Sequence, residues 1–281
     1  MKHSLHSSFY PHIDAQDFSK VTAKLRAFFQ SKGFLEVHTQ NRLSILAACE
    51  DPFNIGTFTY AGKIWPLPQT GQMWLEHELL TQPDAPGFFC LSTSYRNEKN
   101  PIDGRHCMIF PMFEFEFAGD MNALMELEIE LITYLGFKEY SVKEYEEVCD
   151  VEGVAIIDNE IETKLWKDVS DAVFLRHFPE RTNPFWNMKR AEDNTSKKID
   201  VILCGQETIG SAERSCDVEQ MRKTFYSIEG GKYAEKLFDL FSHNRVMDEL
   251  NEFLSYNFIP RVGAGVGITR LIRAMKIIGA L

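Results

Sequence analysis

Residues 95–117 read YRNEKNPIDGRHCMIFPMFEFEF, and this stretch carries the clearest strand pattern of the chain. Its second half places phenylalanines and glutamates on alternate positions, with phenylalanine at 113, 115 and 117 and glutamate at 114 and 116. Such a period of two residues is typical of a strand that buries one face. The residues before the polar turn KNPIDG, at 88–96, are also a strand candidate. We therefore expect two strands that pair back on each other as a hairpin.

Helix and strand patterns alternate on both sides of this hairpin. Helical periodicity and start or stop signals predict helices over residues 15–33, 71–80, 120–135 and 217–250. Further strands are expected within 53–68 and over 198–205, and a glycine-rich strand that turns into a helix over 259–276. Residues 138–180 are acidic and weakly patterned, which predicts a helical insertion. Hairpin strands interleaved with helices predict an α+β fold with a mixed, mainly antiparallel sheet flanked by helices.

The composition limits the class of protein. At 281 residues, with 44% apolar and 25% charged residues, the chain can bury one large core, so we expect residues 1–281 to form a single globular domain. We expect a cytoplasmic protein with no membrane partner, because we find neither a signal-peptide-like stretch nor the ~20 apolar residues of a membrane helix. Six scattered cysteines without a CxxC pair predict free thiols. The net charge of −11 works against a broad nucleic-acid footprint and leaves room only for a local basic groove.

The hairpin carries residues that suit a nucleotide. Arg96 and Glu98 follow the first strand, the pair Arg105-His106 ends the turn, and Phe110 begins the second strand. A guanidinium presents a planar fork to phosphate oxygens, and an aromatic face stacks on a purine, worth roughly 1–3 kcal/mol per base. From the residues alone, a solvated hairpin with a core phenylalanine explains the pattern equally well.

This arrangement resembles motif 2 of the class II aminoacyl-tRNA synthetases. The resemblance implies that Arg96 bridges the ATP α-phosphate and the amino-acid carboxylate. It also implies that Arg105 grips the outer phosphates and that Phe110 stacks on adenine. Glu98 and His106 belong to the same implied ATP site.

A second motif, GAGVGITRL at residues 263–271, opens an apolar helix near the C-terminus. A dinucleotide-binding fingerprint would need a third glycine where Ile268 stands and a βαβ unit of about 30 residues, which the chain end at Leu281 does not leave room for. The string instead resembles motif 3 of class II synthetases, whose glycines allow close backbone approach and whose arginine meets the γ-phosphate. The resemblance assigns that role to Arg270. A helix-start arginine paired with a surface acid is the alternative.

A third stretch, DVILCGQETIGSAER at residues 200–214, carries two acids that could hold magnesium. Magnesium prefers carboxylate oxygens, so Asp200 and Glu207 would suffice beside a triphosphate. Their separation of seven residues would put them on opposite faces of a flat strand, so we expect a bulge near Gly205 that turns one inward. Two edge-strand acids are the alternative. The spacing resembles aspartyl and asparaginyl synthetases, which implies that both acids hold magnesium with ATP and that Arg214 reads the substrate side chain.

A fourth stretch, TGQMWLE at residues 70–76, bears on the choice of substrate. Aspartyl enzymes usually have a lysine where this chain has Leu75, whereas the pattern of Gln72 and Glu76 resembles asparaginyl enzymes. The resemblance implies that both residues contact the amino acid. One arginine and one carboxylate suit an amide, and a free β-carboxylate would be repelled by Glu76. A helix-start glutamine with a surface glutamate is the alternative.

The resemblance extends from about residue 15 to the C-terminus. Cys49-Glu50 is similar to a pair in asparaginyl enzymes, which implies that Glu50 binds the substrate ammonium. Motif 1, a dimer element, usually carries a proline where this chain has Gln40, so a homodimer is implied without that proline. We see no β-barrel pattern before the first helix. We therefore expect a class II synthetase-like catalytic domain without an anticodon-binding domain.

These patterns predict an AMP-forming ligase that uses ATP and Mg²⁺ to activate asparagine or aspartate as the aminoacyl-adenylate. Arg96 and Arg270 are the expected catalytic residues, because adenylation needs positioning and charge neutralisation more than a nucleophile. The activated amino acid would pass to tRNA, which the charge does not favour, or to another acceptor. Two alternatives stay open: an asparagine synthetase-like ligase that takes aspartate and ammonia, and a non-catalytic binding or regulatory relative.

Overall fold

The computed structural model describes residues 12–48, 51–191 and 193–281, and most of the strands there join one sheet. The strands in these ranges are β1 (Leu35–Glu36), β2 (Thr57–Tyr60), β3 (Lys63–Pro66), β4 (Phe88–Tyr95), β5 (Ile109–Ala118), β6 (Ser141–Glu144), β7 (Ala172–Pro179), β8 (Thr195–Leu203), β9 (Gln206–Glu213) and β10 (Arg261–Gly267). Eight of them form a sheet in the order β1-β4-β5-β10-β9-β8-β7-β6, and β2 pairs with β3. The outer pairs β1–β4 and β6–β7 are parallel, and the other neighbours are antiparallel. The predicted mixed, mainly antiparallel sheet is confirmed.

The β4–β5 hairpin forms as the alternation predicts. Phe89 lies opposite Phe115, and Leu91 lies opposite Phe113. Phe113 and Phe115 are buried, and their rings lie 5.2 Å and 4.7 Å from that of Phe29, which belongs to the first helix. The phenylalanine face of β5 therefore builds the core, and the glutamate face is left for the other side of the sheet.

Helices pack on both faces of the sheet. In the described ranges they are α1 (Ala15–Ser31), α2 (Gln72–Thr81), α3 (Met121–Leu135), α4 (Tyr145–Glu152), α5 (Asn159–Asp168), α6 (Val218–Ser227), α7 (Lys232–Phe241), α8 (His243–Leu254) and α9 (Ile268–Ile277). Asp14 and Asp120 cap α1 and α3, because each side chain accepts hydrogen bonds from backbone N–H groups of the first turn. Helices α1, α3 and α9 share the main core with the sheet, and α2 packs on the opposite face of β4.

The segment at 138–180 is not purely helical, which corrects the expectation. It contains helices α4 and α5, but it begins with β6 and ends with β7, and these strands complete one edge of the sheet. The reason is the apolar run Ala172 to Leu175, which is fully buried at the start of β7. Helices α4 and α5 then cover β7 and β8 through a separate apolar cluster.

Helices α6, α7 and α8 form a further apolar cluster around Trp186 and Phe225. This cluster supplies Tyr233 to the cavity described below, and the turn between α6 and α7 supplies Glu229. No helix in the described part of the chain is long and apolar enough to cross a membrane.

Candidate active site

A cavity of about 710 Å³ lies over β5, β9 and β10. Its walls are the β4–β5 turn, the start of α2, the segment at 182–188 and the start of α7. The sheet therefore presents its glutamate face to a space large enough for a nucleotide and an amino acid.

The floor of the cavity depends on the glycines of β10. Gly265 pairs with Glu114 on one side and Gly210 on the other. A Cβ at Gly263 would stand 1.7 Å from Glu116 Oε2, and one at Gly265 would stand 2.5 Å from the end of the Met112 side chain. Larger residues at these two glycines would therefore displace the side chains of the neighbouring strand.

The β4–β5 hairpin brings together five of the seven residues assigned to ATP, since Arg96, Glu98, Arg105, His106 and Phe110 all line the cavity. The N–H of Arg96 donates to the carbonyl of Met108 at 2.7 Å, which closes the base of the turn. His106 Nδ1 lies 2.6 Å from Glu98 Oε2. Two guanidinium groups and an aromatic ring thus face one space, as a nucleotide requires.

Arg270, at the start of α9, reaches the same end of the cavity. Its Nη1 donates to the carbonyl of Glu207 at 2.6 Å, and its Nη2 donates to the carbonyl of Arg105 at 3.3 Å. Arg105 Nη1 in turn donates to the carbonyl of Gly205 at 3.2 Å. Two arginines that are 165 residues apart in sequence therefore form one positive cluster.

The two predicted magnesium ligands lie on either side of Gly210. A Cβ there would stand 3.0 Å from Glu207 Oε1 and 3.7 Å from Asp200 Oδ1. Asp200 and Glu207 lie on different strands, because Gly205 belongs to the turn between β8 and β9. The expected bulge is found in β9 rather than at Gly205: Val201 lies opposite Ile209 but Ile202 lies opposite Glu207, which leaves Thr208 as the extra residue. Glu207 lines the main cavity, whereas Asp200 lines an adjoining cavity of about 340 Å³ that Glu207 shares.

These acids fit a divalent cation. Asp200 Oδ1 is buried and has no hydrogen-bond partner within the described residues. Burial raises the pKa of Asp200, the ammonium of Lys198 opposes the rise, and the charge of Glu207 adds to it. In the described ranges no cluster of three or more acid, histidine or cysteine side chains could hold a metal alone. Two carboxylates would therefore share Mg²⁺ with phosphate oxygens, which is how magnesium is commonly held.

Arg214 lines the cavity near the start of β10, where its N–H donates to the carbonyl of Arg261, whereas Arg270 follows the end of that strand. Arg214 Nη2 lies 3.2 Å from Glu116 Oε2, and Arg214 Nε donates to Glu116 Oε1 at 3.3 Å. Burial raises the pKa of Glu116 to about 7, although Arg214 opposes this rise. The pair fixes the guanidinium plane of Arg214 at the cavity wall.

Glu76, predicted to contact the amino acid, does not line the cavity, so the structure does not bring it together with the other residues assigned to that contact. It is 0% exposed, and its Oε2 accepts from Arg261 Nε and Nη2 at 2.8 Å and 2.6 Å. Its Oε1 accepts from Gln72 Nε2 at 2.7 Å and from Asn187 Nδ2 at 2.8 Å. Gln72 precedes it by one helical turn and stands between Glu76 and the cavity.

Glu114 is a cavity residue that the sequence analysis did not assign. It is 2% exposed and accepts hydrogen bonds from the N–H of Gly71 at 2.7 Å and from the hydroxyls of Thr70 and Ser92. Gly71 has no room for a Cβ, which would stand 2.9 Å from Glu114 Oε2. The strand alternation correctly placed Glu114 on the polar face of β5. A charged residue in so apolar a strand is unusual, and this could have identified Glu114 as a candidate site residue.

Two more charged residues, neither of them predicted, contact the arginines and acids of this site. Glu162 of α5 accepts from Arg105 Nη2, and it also accepts from the N–H of Glu207 at 3.2 Å. Lys198 of β8 lines both cavities. Glu50, the predicted ammonium ligand, lies outside the described residues.

Comparison with known proteins agrees with this architecture. The family described as tRNA synthetases class II (D, K and N) matches residues 14–279. A curated relative from Arabidopsis thaliana, aspartate–tRNA ligase 1, cytoplasmic, is 23% identical over 293 residues. That alignment covers 90% of this chain and 52% of the relative, so the chain spans about half the length of the curated relative it matches.

Solved structures show the same fold. Asparaginyl-tRNA synthetase from Pyrococcus horikoshii, complexed with asparaginyl-adenylate, has a TM-score of 0.76 at 19% identity, over 92% of this chain and 64% of that chain. Aspartyl-tRNA synthetase from Entamoeba histolytica has a TM-score of 0.69 at 19% identity, over 94% of this chain and 55% of that chain. The predicted class II synthetase fold is confirmed.

Proposed function

Because the chain belongs to the class II tRNA synthetases of the aspartyl, lysyl and asparaginyl group, we propose that it activates an amino acid with ATP, and that asparagine is preferred. The observation that carries the proposal is one cavity with arginines and an aromatic ring at one end and Arg214 with Glu114 at the other. Such a cavity can hold ATP and a small amino acid end to end.

The phosphate end suits an in-line displacement. An oxygen of the amino-acid carboxylate bonds to the α-phosphorus, and the bond from that phosphorus to the bridging oxygen breaks, so pyrophosphate leaves with the electron pair. Arg96, Arg105 and Arg270 all line the cavity, and Arg270 donates to the carbonyl of Arg105. In the proposed reaction Arg96 would contact the α-phosphate, and Arg105 with Arg270 would face the negative charge that accumulates on the leaving group. Fixed positive charges of this kind stabilise the transition state without a covalent intermediate.

Asp200 and Glu207 are the residues that would hold Mg²⁺. When bound, the ion neutralises phosphate charge beside the arginines. The protein itself contributes the burial of Asp200 and the bulge that turns Glu207 toward the same place.

The amino-acid end favours an amide over a carboxylate. Arg214 can donate to a side-chain oxygen, and Glu114 lies on the same cavity surface as a fixed negative charge. Leu75, where aspartyl enzymes usually have lysine, is fully buried against Leu79 and Phe88 and adds no second positive charge. Aspartate would therefore face carboxylate repulsion that asparagine avoids, so Glu114 takes the role first given to Glu76.

The acceptor, assembly and location are further parts of the proposal. We propose transfer of the activated amino acid to tRNA or to another acceptor, in a cytoplasmic homodimer, because the relatives named above are tRNA synthetases and one is named as cytoplasmic. Leu35, on the edge strand β1, is 51% exposed and supports a dimer at that edge.

The decisive experiment is amino-acid-dependent exchange of labelled pyrophosphate into ATP, run with asparagine, aspartate and lysine, each with and without tRNA. Exchange should be strongest with asparagine and should be lost in Arg96→Ala. Arg222→Ala, which removes an exposed hydrogen bond to Asn251, is the matched control and should keep full activity. Absence of exchange with every amino acid would overturn adenylation. Aspartate-dependent consumption of ammonia with release of asparagine would show the amide-forming ligase instead.

A further inference from the structure

Lys198 places a positive charge inside the proposed metal site. It lies two residues before Asp200 on β8, so both side chains are on the same face of the strand. Its Nζ donates to Asp200 Oδ2 at 2.7 Å. The same Nζ stands 4.0 Å from the centre of the Phe178 ring, which adds a cation–π contact.

The position of this ammonium is fixed. The side chain of Lys198 is 23% exposed, so its stem is largely covered. Its charge also attracts Glu207, the second predicted ligand. Lys198 and Glu207 line both the main cavity and the adjoining cavity, whereas Asp200 lines only the latter. The ammonium therefore lies among the carboxylates that a divalent cation would use.

We propose that Lys198 is a built-in counter-ion to Asp200 and Glu207 that competes with the divalent cation these two acids would hold, and so lowers the need of this chain for metal when it binds ATP phosphates. The inference rests on the proposed function for the identity of the anionic ligand. Its consequence for the free protein does not depend on ATP: a resident positive charge repels any cation that approaches the same two acids.

The test is Mn²⁺ binding to the protein without nucleotide, followed by electron paramagnetic resonance. Lys198→Met keeps the length of the stem and removes the charge, so it should bind Mn²⁺ about tenfold more tightly than the wild type, as removal of a like charge from a cation site requires. Adding Asp200→Asn to this variant should abolish the gain. Lys197→Met is the matched control, because Lys197 is the neighbouring lysine and pairs with Glu213 instead; it should leave Mn²⁺ affinity unchanged.

A second readout separates this inference from the proposed function. Calorimetric ATP binding should depend more steeply on Mg²⁺ concentration in Lys198→Met than in the wild type. If Lys198→Met has a lower melting temperature than the wild type, Lys198→Gln, which keeps a hydrogen-bond donor for Asp200, replaces it in both assays. Equal Mn²⁺ affinity in a folded Lys198 variant and the wild type would overturn the proposal that Lys198 acts as a counter-ion. Failure of the wild type to bind ATP at any Mg²⁺ concentration would overturn the proposed function, with the Mn²⁺ comparison still deciding the role of Lys198.

Discussion

Replacing Glu76 by alanine should destabilise the fold far more than it changes substrate choice. Glu76 and Arg261 are both 0% exposed, so the substitution leaves a buried guanidinium without its carboxylate. Gln72 and Asn187 lose their acceptor at the same time. The variant tests whether Glu76 stabilises the fold beside the cavity or contacts the side chain of the amino acid.

The expected magnitude follows from the burial of the pair. Removing one partner of a buried ion pair costs about 3–5 kcal/mol. At about 2–4 °C per kcal/mol for a large domain, the melting temperature should fall by roughly 6–20 °C. Replacing both partners, in Glu76→Leu with Arg261→Met, should recover most of this loss, since an apolar pair of similar volume is often neutral or better.

The pH dependence has a definite sign. Burial opposes ionisation of Glu76, but the charges of Arg261 and Arg214 outweigh it, and the pKa of Glu76 lies below its usual value. The ion pair therefore stabilises the fold above the unfolded pKa and is lost as pH falls through the folded pKa. The difference in melting temperature between wild type and Glu76→Gln should shrink under strongly acidic conditions.

Thermal denaturation with parallel pyrophosphate exchange measures both effects. Glu78→Ala is the control on the same helix, because it removes an acceptor for Gln82 only and should cost no more than about 1 kcal/mol. If Glu76→Ala had the melting temperature of the wild type and preferred aspartate in pyrophosphate exchange, the structural role of Glu76 would be refuted. Glu76 would then be a residue that contacts the substrate side chain.

Three other substitutions have defined outcomes. Burial raises the pKa of Glu128 from 4.5 to about 8, so the free energy of unfolding of the wild type falls as pH rises between these two values. Glu128→Gln should therefore melt at a higher temperature than the wild type, and the difference in melting temperature should grow toward pH 8; a difference independent of pH would contradict this. Glu162 holds Arg105, so Glu162→Gln should tighten ATP binding in calorimetry by up to about tenfold, as release of a charged hydrogen bond allows; weaker binding would show that the pair supports the site. Leu35→Glu should convert a dimer into monomers in sedimentation at micromolar concentration, and an unchanged mass would place the interface elsewhere.

The sequence predicted the local structure of the hairpin and of β10, and it grouped residues that the structure brings into one cavity, for a physical reason. Alternation and turn signals are local, so the hairpin and the glycine strand β10 could be placed without knowing their neighbours. Arg96 and Arg105 both belong to that hairpin, so the hairpin brings them to the same cavity. Arg270 was assigned by resemblance, and the pairing of β5 with β10 brings it to the same place.

The surroundings of Glu76 and Glu114 could not be predicted from the sequence, because their contacts are distant along the chain. The partner of Glu76 is Arg261, which is 185 residues away, and no periodicity predicts that pairing. Glu114 was placed on the correct face of its strand, but its fixed position depends on the N–H of Gly71, 43 residues earlier. The strands within residues 138–180 were not predicted. Strand β7 is buried on both faces, so its sequence does not show the alternation of apolar and polar residues that marks a half-buried strand.

Binding of two stable adenylate analogues tests most directly whether one cavity holds ATP and asparagine together. Calorimetry would compare the sulfamoyl analogues of asparaginyl-adenylate and aspartyl-adenylate, which keep the adenosine and differ only in the side-chain amide. The asparaginyl analogue should bind the wild type at least about tenfold more tightly, because a site built for an amide leaves a carboxylate poorly paired. Glu114→Gln should reduce that preference. Failure of both analogues to bind, or tighter binding of the aspartyl analogue to the wild type, would contradict the proposed site.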